Sequence, residues 1–142
     1  MKKAFLIASI ALFFMSMSMN AQTYSSLWKE VTIAENDDLP QTQREKLKKI
    51  IAKAEKEKAY GQLLKALLTD AQAAAAVSPD SLAPAVERLK QREQQAKDIA
   101  LQAVYQAVLS RIYDTNPSID EISADIAKSY AQKAVSHPKE LA

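Results

Sequence analysis

Only one glycine, Gly61, stands in 142 residues, and five prolines divide a chain dominated by alanine, lysine, glutamate, glutamine and leucine. Such a sequence has high helix propensity almost throughout and little of the turn chemistry that hairpins of strands need. The apolar residues confirm the period. Tyr24, Leu27, Trp28 and Val31 recur at helical spacing, as do Leu47, Ile50, Ile51 and Ala54. The same holds for Leu64, Leu67, Leu68, Ala71 and Ala75, and for Leu82, Val86 and Leu89. Leu101, Val104, Tyr105, Val108 and Ile112 form a fifth stripe, and Ile122, Ile126 and Tyr130 a sixth. Each stripe faces charged residues across the helix, so the fold class is all-α with about six amphipathic helices.

The boundaries follow from capping chemistry. Thr23 is placed to cap the first helix, which should end near Asn36 or Asp37. Pro40 suits the first turn of the second, where its missing N–H is no loss. Gly61 marks the break between the second and third helices. Asp80 is the expected N-cap of the fourth, with Pro84 inside the tolerated first turn. Ser118 and Glu121 have capping-box spacing ahead of Ile122, and Pro138 ends the last helix. No breaker separates helices four and five around Ala96 to Asp98, so they are either two helices or one long bent one. Short connections make consecutive helices antiparallel neighbours, which groups them as three hairpins beginning near Thr23, Gly61 and Lys97. That period is close to the tetratricopeptide range, although the tetratricopeptide residue pattern is not met. The expectation is a tetratricopeptide-like array, with a compact irregular bundle as the alternative.

The amino terminus has the form of a secretory leader. Lys2 and Lys3 are followed by an apolar stretch from Ala4 to Met15, interrupted only by Ser9, and then by a more polar exit. Met19-Asn20-Ala21 puts a small residue before the expected cut, so residues 1–21 read as a signal peptide and 22–142 as one helical-hairpin domain. The apolar stretch is short against the roughly 20 residues a spanning helix needs. An uncleaved anchor is the competing reading; otherwise membrane contact is confined to the signal peptide before cleavage. The chain has no cysteine, so it has neither a disulfide framework nor a residue to carry an amino-terminal lipid. Export to a bacterial periplasm or cell envelope is expected. The net charge of +2 resides in Lys2 and Lys3, leaving the remainder neutral. A neutral chain without a basic patch argues against nucleic acid or an anionic membrane as partner.

Catalytic material is scarce. His137, the one histidine, lies beside Pro138 and reads as a cation favoured by a helix C-terminus. The paired acids Asp37-Asp38 and Asp120-Glu121 fall at helix junctions, where acids cap and face water rather than hold metal. No glycine-rich phosphate loop, GxSxG elbow or His-x-x-x-His pair occurs. The sequence therefore assigns no catalytic, cofactor-binding or metal residue and no small-molecule substrate. The run from Arg44 to Lys58 interleaves acids with bases and reads as a solvated helix face. Tyr24 with Trp28 reads as core, the alternative being an exposed pair that grips a ligand.

At Leu27 to Leu68 the chain resembles a known family. Leu27-Trp28-Lys29, Asp38-Leu39-Pro40-Gln41-Thr42, Ile51 to Glu55 and Gln62 to Ala66 are similar to the amino-terminal helical segment of large bacterial alpha-2-macroglobulin-like proteins. The likeness continues more loosely through Ser78 to Leu82, Arg111-Ile112-Tyr113 and Ser136-His137-Pro138. Full members of that family continue into β-sandwich domains, a bait segment and often a Cys-x-x-Gln thioester, none of which is here, so no inhibitory residue carries over. The resemblance implies either a truncated product or a free-standing copy of the helical module. The expected function is non-enzymatic protein–protein contact; the alternative is a periplasmic helical chaperone or scaffold.

Overall fold

The computed structural model describes residues 22–141; the expected signal peptide over residues 1–21 lies outside them. Seven α-helices follow in order: α1 (Tyr24–Asn36), α2 (Pro40–Glu57), α3 (Tyr60–Val77), α4 (Leu82–Gln95), α5 (Ile99–Thr115), α6 (Ser123–Ala134) and the single turn α7 (Pro138–Leu141). A 3₁₀ turn, Pro79–Ser81, precedes α4, and the described residues contain no strand. The chain is all-α.

Several caps are those the sequence announces. The Thr23 hydroxyl accepts from Ser26 N–H at 3.2 Å, and Pro40 is the first residue of α2. The open question at Ala96 to Asp98 resolves into two helices: Ala96 is extended, and the Asp98 carboxylate caps α5 by accepting from Ala100 N–H at 2.9 Å. Elsewhere the chemistry differs. Gly61 lies inside the first turn of α3, and the turn before it is made by Lys58, which takes the left-handed conformation at φ 55°. Ala59 N–H donates to Ala54 C=O and Lys58 N–H to Glu55 C=O, the nested pair that closes a Schellman turn. Asp38 ends α1 by the same device, also at φ 55°.

Ser78, not Asp80, provides the side-chain cap before α4, its hydroxyl accepting from Asp80 N–H at 3.2 Å. The start of α6 is set by Asp120 and Ser123 rather than by Ser118 and Glu121. Ser123 Oγ accepts from Asp120 N–H and donates to Asp120 C=O, while Asp120 Oδ1 accepts from Ile122 N–H. This shift leaves Ile122 outside the helix and exposed, where the sequence placed it on an apolar stripe. Pro138 begins α7 instead of ending α6, which stops at Ala134.

Packing sorts the stripes into two clusters. Leu27 and Val31 of α1 meet Leu47 and Ile50 of α2, with Ala66 of α3 behind them. The larger cluster joins Leu63, Leu67 and Ala71 of α3 to Val86 and Leu89 of α4 and to Tyr105, Val108, Leu109 and Ile112 of α5. The buried line of α3 runs through Leu63, Ala66, Leu67 and Ala74, so Leu64, Leu68 and Ala75 are only half-buried. α1 packs on α2 and α5 on α6 as expected of hairpins, but α3 touches α4 only slightly and packs instead on α2 and α5. That displacement opens a space between α2 and α4 above α3.

Candidate functional site

The space is a groove of about 620 Å³ lined by residues of α2, α3 and α4 together with Ser81. Its floor is apolar, from Leu67 and Ala71 of α3 and Leu89 of α4. Its walls are two stripes of one spacing. Arg44, Lys48, Ile51 and Glu55 stand at i, i+4, i+7 and i+11 along α2, and Ser81, at the end of the 3₁₀ turn, with Ala85, Arg88 and Arg92 of α4 repeats that spacing. Residues so spaced share one helix face. The carboxyl-terminal ends of the two walls meet where Glu55 pairs with Arg92.

Ion pairs cross the groove's helices near both ends. Arg92 Nη1 donates to Glu55 Oε1 at 2.6 Å, and the same oxygen accepts from the Tyr105 hydroxyl of α5 at 2.5 Å. Burial and the Glu55 carboxylate push the Tyr105 phenol up to about 12. Desolvation opposes the charge of Arg92, yet Tyr105 and Glu55 outweigh it and raise the guanidinium above its ordinary value. Toward the other end Arg44 makes a two-point contact with Asp70 of α3, Nε to Oδ1 at 2.9 Å and Nη2 to Oδ2 at 3.3 Å. Both side chains are 21 % exposed, so this fork is better shielded than a surface pair. Lys48 and Arg88, on opposite walls, have no ion-pair partner among the described residues and are exposed.

The sequence features singled out earlier fall as follows. The run from Arg44 to Lys58 is not simply solvated. Besides Arg44 and Glu55, Lys46 reaches Glu30 of α1 at 3.0 Å, and Lys53 pairs with Glu57 at 2.6 Å while lying 5.1 Å from the Tyr24 ring centroid. Tyr24 donates to Glu57 at 2.8 Å, and burial with that carboxylate pushes its phenol up to about 12. Trp28 is half-buried against the α1–α2 cluster, its indole N–H donating to Gln62 at 2.7 Å and Lys65 lying 4.1 Å over its ring. Both aromatics are thus tied to neighbouring helices, and neither lines the groove.

His137 is exposed and lies three residues past the end of α6, where its carbonyl accepts from Glu140 N–H. It is not at a helix C-terminus in the sense the sequence suggested. Asp37, Asp38, Asp120 and Glu121 are exposed at junctions, with Asp120 serving as a cap. Sequence reasoning passes over Asp70, Arg88 and Arg92, and reads Tyr105 only as one member of an apolar stripe. The spacing of Arg88 and Arg92 marks one face of α4, as Arg44 to Glu55 mark one of α2, but it does not say that the two faces meet. Which helix lies between them is a matter of tertiary packing and carries no local mark.

Chemically the groove offers an apolar floor, guanidinium and ammonium groups on its walls, and a single lining hydroxyl, Ser81. Among the described residues no helix is long and apolar enough to cross a membrane, and no three His, Cys, Asp or Glu side chains converge as a metal site would need. Comparison of the chain with models of protein families, with curated proteins and with solved structures gives no match.

Proposed function

We propose that this is a non-enzymatic, exported helical module that acts by protein–protein contact, and that the groove between α2 and α4 is its contact surface. The observation that carries the reading is the groove itself. Its walls are braced by Glu55–Arg92 and Arg44–Asp70, while Lys48 and Arg88 on those walls are free of ion pairs among the described residues. Apolar floors rimmed by charge are the usual anatomy of recognition surfaces. The resemblance of Leu27 to Leu68 to the helical segment of bacterial alpha-2-macroglobulin-like proteins belongs to the same proposal, in which the helices contribute contact.

Because the chain has no cysteine, one introduced cysteine gives a single labelling site. A photo-crosslinker at Ala52→Cys, on the groove wall, should capture a discrete protein in the cells that make the chain. The same label at Gln72→Cys, an exposed position of α3 outside the groove, should not. Capture from both positions alike, or from neither, refutes the groove as contact surface. Intact mass of the exported protein should give an amino terminus at Gln22; recovery of Met1 in the membrane fraction would mean an anchor instead.

A further inference from the structure

We infer that the groove takes an amphipathic helix of a partner protein, with its apolar stripe on the floor and acidic side chains on its flanks. The inference rests on the interaction reading above and specifies the partner's chemistry. Three observations carry it. First, the groove is walled by helices, whose backbone donors and acceptors are consumed by their own hydrogen bonds. It offers no open edge for an extended strand to pair with, whereas a helix arrives with its backbone already satisfied. Second, half-buried Ile51 on the α2 wall stands beside the buried Leu67 and Leu89, and the α2 stripe from Arg44 to the Glu55–Arg92 pair that bridges the walls at the far end runs about 17 Å at helical rise. That length matches three turns of a docked helix.

Third, the charges are not balanced. Arg44 is satisfied by Asp70 and Arg92 by Glu55, which leaves Lys48 and Arg88 exposed on facing walls, with Glu45 the lining carboxylate outside an ion pair. Two unpaired cations on either side of an apolar floor suit a helix bearing glutamate or aspartate on both flanks of its leucine stripe. A lysine-flanked helix meets repulsion at the same two points. Charge of this kind sets partner choice more than raw affinity.

The test uses the full exported chain carrying an environment-sensitive fluorophore at Ala52→Cys. The probes are synthetic helical peptides of about 14 residues, enough to span the groove: one with a leucine stripe flanked by glutamate, one flanked by lysine, and one glutamate-flanked with serine in place of leucine. The glutamate–leucine peptide should bind saturably and lose affinity at high salt, and the other two should bind at least tenfold more weakly. In the Lys48→Glu/Arg88→Glu double variant the preference should reverse, with about a tenfold loss for the glutamate peptide and a gain for the lysine peptide. Both positions are exposed, so the variant should keep its helical circular dichroism, and reversal of preference is a readout that unfolding cannot produce. Equal binding of both peptides, or unchanged preference in the double variant, overturns the inference. No binding of the glutamate peptide while crosslinking at Ala52→Cys persists overturns this inference and leaves the interaction reading standing; loss of both overturns both.

Discussion

Tyr105 of α5 donates its hydroxyl to Glu55 of α2 at 2.5 Å, and the carboxylate oxygen that accepts it also takes Arg92 of α4 at 2.6 Å. One oxygen therefore ties three helices, with a buried phenol beneath and a half-exposed guanidinium above. A hydrogen bond to a charged group contributes about 1.5–3 kcal/mol. Tyr105→Phe, which keeps the ring and removes only the hydroxyl, should cost about 1.5 kcal/mol in urea denaturation. In a Glu55→Gln background the cost should shrink, because the acceptor is then uncharged. Equal costs in both backgrounds would show that the two residues are not coupled.

The same chemistry gives stability an alkaline limit. Burial together with Glu55 raises Tyr105 from 10 to about 12, burial together with Glu57 does so for Tyr24, and a 2.5 Å bond to Asp98 does so for Tyr60. A raised phenol favours the neutral form in the fold. Its contribution is complete below the ordinary value of 10 and is lost as pH rises through about 12. The urea midpoint should therefore fall steeply between those values, and tyrosinate absorbance should appear together with loss of helical circular dichroism. Tyr105→Phe should soften the fall. Tyrosinate absorbance that is complete near the ordinary value while helicity persists would contradict the burial and bonding of these rings.

Leu47 and Trp28 separate full from partial burial on the α1–α2 interface. Leu47 is 0 % exposed, and Leu47→Ala should cost about 2–5 kcal/mol through lost transfer energy and the cavity left behind. Trp28 is the only tryptophan and is half-buried, held by Gln62 and capped by Lys65. Trp28→Ala should cost less than full burial of an indole implies, about 2 kcal/mol. A loss of about 4 kcal/mol would put the ring wholly inside, and one under about 1 kcal/mol would free it as a gripping surface.

The amphipathic stripes, both ends of α1, the start of α2 and about half of the buried positions are legible in the sequence because period and capping are local properties. Thr23 and Pro40 act within three residues of themselves, whereas the break at Ala96 to Asp98 stays open in the sequence although the Asp98 cap is just as local. The misreadings share one cause. In α3, alanines at 71 and from 73 to 76 make every face apolar, so the period does not say which side is buried. At α6, Asp120 with Ser123 outcompetes Ser118 with Glu121, and the two pairs look alike in sequence. The groove lies further from view, since it exists only because α3 leans on α5 instead of α4. Asp70 reads as one more solvated acid until Arg44, 26 residues away, is brought beside it.

Gly61 and Lys58 exchange the roles a sequence would give them, and that exchange can be measured. The left-handed position after α2 belongs to Lys58 at φ 55°, where any side chain costs about 1–2 kcal/mol and glycine costs nothing. Three residues on, Gly61 is helical and exposed, and a Cβ built there meets nothing within 4 Å. Lys58→Gly should stabilise the chain by about 1 kcal/mol, reduced by a few tenths for the Lys58–Asp98 pair, which at 3.6 Å is long and well exposed. Gly61→Ala should add about 0.5–1 kcal/mol by removing freedom from the unfolded chain and improving helix propensity. Neither residue shares a partner with the other, so the gains should be close to additive, about 1.5 kcal/mol together or a rise of roughly 5 °C in Tm. Thermal and urea unfolding of the two single variants and the pair provide the check. Destabilisation by Gly61→Ala would return the left-handed turn to Gly61 and restore it as the break between α2 and α3. A Lys58→Gly variant less stable than the parent would show that the lysine side chain contributes more at this junction than its backbone strain removes.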